Sequence, residues 1–195
     1  MKLSYAITVC NEFVEIQRLI TFLLENKRNE DEIVVLYDSN NGDPQVEAYL
    51  RKMNVEKSLF RWSSYKFKGD FAAMKNRLNG MCGGDYIFQI DADEIPNEYM
   101  MKIIPQMLEI NPGIDLMRVP RINKVEGLTE AHIKQWGWNV DSEGKWHGEV
   151  HEKIIGHATH AVLPIEEDFA LIHNKTIERQ EKQNKYYSII ESGVK

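Results

Sequence analysis

Cysteine is nearly absent: Cys10 and Cys82 are the only two in 195 residues, and no C-x-x-C pair occurs. That excludes a disulfide framework and a cysteine-based structural zinc site, and points to a reduced compartment where both thiols pack as small apolar groups. Positive charge is also short. Asp and Glu number 30 against 24 Lys and Arg, a net charge of −6, which argues against a generic nucleic-acid surface and against an anionic membrane patch. The N-terminal apolar run stops at Val9, before Asn11-Glu12, too early for a secretory leader or a spanning helix. A soluble, cytoplasmic chain without a transmembrane segment is the expectation. Neither G-x-G-x-x-G nor G-x-x-x-x-G-K-[ST] is present, so no glycine-rich phosphate loop follows the first strand. Internal repeats and low-complexity tracts are missing too.

What the chain does have is 43 % hydrophobic residues, enough at this length for one domain with a full core. They fall in a repeating strand–helix rhythm. Leu3 to Val9 reads as a buried strand, and Asn11 stands where it would cap a helix whose Phe13, Ile16, Leu19, Ile20, Leu23 and Leu24 recur at helical spacing. Ile33 to Tyr37 is a second strand, closed by the polar turn Asp38-Ser39-Asn40-Asn41-Gly42-Asp43 before Pro44 opens another helix. Phe60-Arg61-Trp62 is a weaker strand, Asp70 caps a helix through Met81, and Tyr86 to Ile90 is the next strand. Such crossovers predict the α/β class: a mostly parallel, Rossmann-like three-layer α/β/α sheet, with Asn11, Asp38 and Asp91 brought to one edge because each follows its strand. Further on, the pattern predicts a helix near Glu98 to Ile110 and a strand from Ile114 to Pro120. Residues 121 to 165 lack a clean period and read as a loop-rich, acceptor-facing segment. A short strand, Phe169 to Ile172, ends at His173, and a polar helix capped by Thr176 follows, its few apolar residues docking one face.

The densest chemical signal is Tyr86-Ile87-Phe88-Gln89-Ile90-Asp91-Ala92-Asp93-Glu94, an apolar run ending in three carboxylates within four residues. Carboxylates crowded at a buried strand end repel one another unless a cation or a bound donor group compensates them. Asp-x-Asp suits a hard divalent metal, provided the chain turns after Ile90 so that both carboxylates reach the same place. The plain alternative is an acidic turn favouring the N-terminus of the next helix. Five of the six histidines lie between His147 and His173, but H-E-x-x-H fails, since Ile155 stands where the second His belongs after His151-Glu152. His157 and His160 read as surface or loop residues.

The order Val9-Cys10-Asn11-Glu12, Asp38, Asp70 to Asn76 and Asp91-Ala92-Asp93-Glu94 resembles family 2 glycosyltransferases of the GT-A (nucleotide-diphospho-sugar transferase) fold, over nearly the whole chain. Trp146-His147-Gly148-Glu149-Val150-His151-Glu152 followed by Leu171-Ile172-His173 resembles the lipopolysaccharide-core glucosyltransferase-like branch, and His173 to Gln180 resembles the ending of its small phage and bacterial members. One departure concerns the acceptor side. Such proteins usually carry a further strand with aromatic and Arg residues before this Trp, whereas Ser142-Glu143-Gly144-Lys145 runs almost directly into Trp146: either the acceptor wall is shortened or a loop is missing from this chain.

The resemblance implies one GT-A domain over residues 1–195, with 1–95 holding nucleotide and metal and 96–195 shaping acceptor choice. It implies inverting, metal-dependent transfer from a nucleotide-diphosphate sugar, a UDP-sugar being the expected donor, to a hydroxyl of a carbohydrate, lipid-linked or other acceptor. By residue, Asn11 and Glu12 line the base pocket, Asp38 accepts from the nucleobase, and Asp91 takes the ribose or a metal-bound water. Asp93 is the principal ligand of Mn²⁺ or Mg²⁺, and His173 a second ligand. Lys75 adds positive charge at the diphosphate, and His151 orients its neighbour or contacts that diphosphate. Glu152 is the expected base, Glu149 the runner-up, and Glu94 binds donor sugar or acceptor or serves as base itself. Plain readings stay open for each: a turn-forming Asp38, a solvated Lys75, exposed Glu149 and Glu152, a structural His173. Trp136, Trp138 and Trp146 are core residues singly, though their clustering favours at least one at the acceptor entrance. Two other functional classes remain at this point, a nucleotidyltransferase and a non-catalytic sugar-nucleotide- or carbohydrate-binding protein of the same fold.

Overall fold

The computed structural model describes residues 1–125, 133–136, 140–141 and 144–192. The first half alternates strand and helix: β1 (Leu3–Val9), α1 (Phe13–Asn26), β2 (Glu32–Asp38), α2 (Pro44–Glu56), β3 (Phe60–Tyr65), α3 (Phe71–Asn79), β4 (Tyr86–Asp91), the short β5 (Glu94–Ile95) and α4 (Glu98–Ile110). Shorter strands follow: β6 (Leu116–Arg118), β7 (Pro120–Val125), β8 (Ile133–Trp136), β9 (Val140–Asp141), β10 (Lys145–His147), β11 (Lys153–Ile155), β12 (His160–Val162) and β13 (Leu171–Lys175). The last described element is α5 (Ile177–Glu191).

The main sheet runs β12-β6-β9-β4-β1-β2-β3, and every strand in it is parallel except β9, which is antiparallel to both neighbours. Its central strands are apolar on both faces because both faces are covered. Leu3, Tyr5, Ile7, Ile33, Val35, Phe88 and Ile90 pack with Ile16, Leu19, Leu50 and Ile104 of α1, α2 and α4. The alternate residues Ala6, Val34, Leu36 and Ile87 pack with Met74 and Leu78 of α3 on the other face. Period-two alternation along the strands therefore divides the core into two layers of contact around the sheet, the three-layer α/β/α arrangement. A second sheet, β5-β13-β7-β8, and a two-stranded ribbon, β10-β11, flank it. Trp146 and Ile154 pin the ribbon to Ala72 and Leu116.

The helix starts follow capping chemistry. Asp43 accepts from the Gln45 amide at 2.8 Å, Asp70 from Ala73 at 2.8 Å and Asn97 from Met100 at 2.9 Å. The start of α1 departs from expectation: Glu12, not Asn11, occupies the cap position and makes no side-chain cap bond. The Glu12 carboxylate instead turns back to accept from the Cys10 and Asn11 amides at 2.8 and 3.0 Å, which braces the loop after β1. Other differences are local. The α3 helix closes at Gly80, short of Met81. The strand expected over Ile114 to Pro120 breaks around Val119 into β6 and β7, which join different sheets. His173 lies in the middle of β13 rather than at its end. Among the described residues no helix is long and apolar enough to cross a membrane.

At the N-terminal edge of the main sheet, the buried Glu32 carboxylate accepts from the Ser4 hydroxyl (2.6 Å), the Gly83 amide (2.6 Å), Lys2 (2.8 Å) and Arg61 (2.8 Å). Burial alone would push this carboxyl up; Lys2, Ser4, Gly83 and Arg61 outweigh it and hold the pKa at about 2. This cluster ties β1, β2, β3 and the turn before β4 together at the end away from the cavity described next.

Candidate active site

A cavity of about 640 Å³ opens beyond the C-terminal ends of β1, β2 and β4, where an open parallel sheet presents its loops. Its lining includes Asn11, Glu12, Asp38, Lys75, Asp91, Asp93 and Glu152, so the three strand-end loops anticipated from the sequence do converge. Asp38 is only 4 % exposed, and its loop folds around it. One carboxylate oxygen accepts from the Asn40 amide at 2.8 Å and the Phe67 amide at 3.3 Å, the other from the Asn41 side chain at 3.1 Å. Gly42 permits this closure, since a Cβ there would overlap the Asp38 carbonyl oxygen and the Tyr37 ring. Beside them the Cys10 thiol donates to Asp38 at 3.7 Å, and burial, with the nearby Asp38 charge, pushes its pKa up to about 12.

Below the cavity floor, acid and base interlock. Asp91 takes Lys75 at 3.6 Å and the Thr8 hydroxyl at 3.3 Å on one oxygen, and Arg121 at 3.1 Å on the other. Burial pushes the Asp91 carboxyl up, but Lys75, Arg121 and His173 overcome that and hold it well below the usual carboxylate range. Glu94, 1 % exposed, pairs with the Arg121 Nε and accepts from the Asp91 amide at 2.8 Å. Desolvation dominates there, and its carboxyl is raised. Lys75 lies buried with its ammonium 2.7 Å from Glu152 and 4.6 Å from the Trp146 ring centroid; burial lowers its pKa, and Asp91 and Glu152 more than restore it, so the side chain stays cationic.

The turn Ala92-Asp93 leads from β4 into β5, and it delivers Asp93 to His173: the Nε2 of the imidazole sits 2.9 Å from an Asp93 carboxylate oxygen. His173 is 3 % exposed, with Nδ1 2.9 Å from the Asn123 amide oxygen. The register makes this a row across three strands, Glu94 on β5 opposite His173 on β13 opposite Asn123 on β7. The Asn123 oxygen accepts from Nδ1, and Nε2 faces the Asp93 carboxylate, a contact that a proton on Nε2 or a cation between the two groups would satisfy. One carboxylate and one imidazole fit Mg²⁺ or Mn²⁺ in a nucleotide site, where phosphate oxygens and water complete the shell. Among the described residues no three His, Cys, Asp or Glu side chains form a ready cage.

Not every residue singled out in the sequence reaches this cavity. Glu149 and His151 are exposed in the turn between β10 and β11 and lie off its lining; Glu149 contributes a carbonyl that accepts from the Phe71 amide at 3.0 Å. His151 adopts a left-handed φ of 54° and sets its ring edge-on to Tyr187 with centroids 5.6 Å apart. Glu94 is sealed beneath Arg121. Trp146 is core, beneath Lys75. Trp138 and the side chain of Trp136 fall outside the described residues, as do Ser142 and Glu143. Arg121 and Asn123 were missed: they alternate along β7, a period-two signal within a stretch that otherwise shows no clean periodicity. Lys182, Tyr186 and Tyr187 of α5 also line the cavity, which residue order alone did not suggest.

A family model described as glycosyl transferase family 2 matches residues 4–167. Solved structures share the fold. TarS of S. aureus, residues 1–349, is similar over 97 % of this chain and 64 % of that one, with 15 % identity and a TM-score of 0.66. Its complex with UDP gives 97 %, 65 %, 14 % and 0.66 in the same order. The mannosyltransferase PcManGT from Pyrobaculum calidifontis, in complex with GDP-Man and Mn²⁺, is similar over 61 % of this chain and 35 % of that one, at 15 % identity and a TM-score of 0.53. At these identities the likeness is one of fold, the GT-A fold, and the chain spans less than two thirds of the solved TarS and PcManGT chains. No curated protein sequence matches it. The family match covers most of the chain and includes the Asp38 loop, the Asp91-Ala92-Asp93-Glu94 turn and Glu152, and on it the chain belongs to glycosyl transferase family 2.

Proposed function

We propose that this chain is an inverting, metal-dependent glycosyltransferase that moves a sugar from a nucleotide-diphosphate sugar to an acceptor hydroxyl. The observation that carries this reading is the pairing of Asp93, which lines the strand-end cavity, with His173, buried behind it and 80 positions away in sequence. Asp93 and His173 would hold Mn²⁺ or Mg²⁺, which supplies Lewis-acid stabilisation of the charge developing on the departing diphosphate. Asp38 and the loop from Cys10 to Glu12 form the base end. A UDP-sugar is our proposed donor, and a carbohydrate or lipid-linked hydroxyl, as in the lipopolysaccharide-core branch that the second-half motif resembles, our proposed acceptor.

Glu152 is the best-placed base of the three candidates, because it lines the cavity while Glu149 is exposed outside it and Glu94 is buried under Arg121. As the acceptor oxygen attacks the anomeric carbon opposite the leaving group, its proton passes to the Glu152 carboxylate. The bond from that carbon to the phosphate oxygen breaks, and the electron pair leaves with the nucleoside diphosphate. Lys75 holds one oxygen of Glu152 at 2.7 Å, fixing the carboxylate.

Incubation with UDP-, GDP- and dTDP-sugars and Mn²⁺, followed by measurement of released nucleotide and of sugar on glycan acceptors, tests the reading. Glu152→Gln should bind donor as tightly as the parent and lose transfer by about 100-fold or more, the scale of a lost general base. Normal transfer by Glu152→Gln would remove it from this role.

A further inference from the structure

We propose that the terminal helix α5 builds the outer wall of the donor's nucleotide pocket, with Tyr186 and Tyr187 offering aromatic surface to the base and Lys182 a cation to the diphosphate. The inference rests on the donor-site reading above and extends it to residues beyond the family match, which ends at 167. Helix α5 is polar over most of its surface, and its Ile177 and Ile189 are exposed, so it lacks the apolar stripe by which a helix ordinarily docks. It nevertheless lies along the cavity, to which it contributes Lys182, Tyr186 and Tyr187.

The two tyrosines join a path of aromatic contacts that ends at the Asp38 loop. Tyr187 meets Phe71 edge-on, centroids 6.0 Å apart; Phe71 lies 4.7 Å from Phe67; and the Phe67 amide donates to Asp38 at 3.3 Å. Tyr186 faces the same end of the cavity, where burial and the Asp38 charge raise its phenol. Yet Tyr186 keeps 42 % of its surface exposed, an area a flat ring can cover. A planar heterocycle lying against the Asp38 loop with its face on a phenol ring would cover that surface, since stacking needs only a π-face. Lys75 is committed to Glu152 and Asp91, whereas Lys182 adds a lining cation from the solvent side, where the phosphates of a bound nucleotide would emerge.

The test is titration calorimetry of the full chain with UDP and GDP in the presence of Mn²⁺, repeated for Tyr186→Ala, Tyr186→Phe and Lys182→Ala. These side chains are on an exposed helix, so the variants should fold as the parent does, checked by circular dichroism. Tyr186→Ala should weaken the nucleotide that binds by about tenfold, Tyr186→Phe should restore most of it, and Lys182→Ala should cost about fivefold. Amide hydrogen exchange across residues 177–191 should slow on nucleotide binding. Tyr186→Ala and Lys182→Ala affinities within about twofold of a nucleotide-binding parent would overturn the role of α5 while leaving the donor site intact. A parent that binds neither nucleotide would instead overturn the donor-site reading, and this inference with it.

Discussion

Arg121 is the residue on which the carboxylate cluster depends. It pairs with Asp91 at 3.1 Å and with Glu94, and without it the buried Glu94 carboxylate would lose its main counter-charge and the half-buried Asp91 one of two, Lys75 being the other. Removing one member of a buried ion pair is costly because the remaining charge stays desolvated. Arg121→Ala should therefore lower the unfolding free energy by about 3 kcal/mol, read from urea denaturation. Arg121→Lys should recover little of it, since a single ammonium cannot reproduce a fork that engages two carboxylates. Arg121→Lys unfolding at the parent's urea midpoint would show the fork to be unimportant. Lys75 is buried more deeply than Arg121, and its partner Glu152 also lines the cavity, so its loss should cost both stability and transfer.

At the scale of elements, the main sheet is anchored at one end and functional at the other. Glu32 serves the anchored end. Its carboxyl titrates at about 2 in the fold against 4.5 ordinarily, so its contribution is fully present above about pH 4.5 and is lost as pH falls toward 2. Glu32→Gln should accordingly lower the melting temperature at pH 7 and flatten the pH dependence of stability between about 4.5 and 2. An unchanged acid limb in the variant would mean that other carboxylates govern it. The elements of this sheet were legible in sequence because their signals are local: apolar runs for β1, β2 and β4, helical spacing in α1, and Asp43, Asp70 and Asn97 at helix starts. The strands after α4 were not, because β6 to β12 are short and owe their pairing to neighbours distant in sequence. Asn11 misled for a related reason: its type suits a cap, but the Glu12 carboxylate satisfied the neighbouring amides first.

Across the whole molecule, two sheets meet at the cavity. The main sheet brings Asp38 and Asp91 to its C-terminal edge, and the second sheet carries Glu94, His173, Asn123 and Arg121 beneath and beside them. Asp38, Asp91, Asp93 and Glu152 line the cavity and were visible in sequence, Asp38 and Asp91 because each closes an apolar strand. Arg121, Asn123 and the residues of α5 were not, because their partners lie 27 to 116 positions away and only the fold supplies the register. The cavity lining draws Glu152, Lys182, Tyr186 and Tyr187 from residues 96–195 and Asp38, Lys75, Asp91 and Asp93 from residues 1–95.

The central claim is that Asp93 and His173 hold a divalent metal for a nucleotide-diphosphate sugar, and ligand binding to the native state must raise its stability. The most direct measurement is a thermal-shift comparison of the parent and Asp93→Ala with UDP-, GDP- and dTDP-sugars in Mn²⁺, in Mg²⁺ and in chelator. A rise is expected for at least one donor in the parent, disappearing with chelator and absent in Asp93→Ala. A rise that survives both chelator and the substitution, or no rise with any donor, would contradict it.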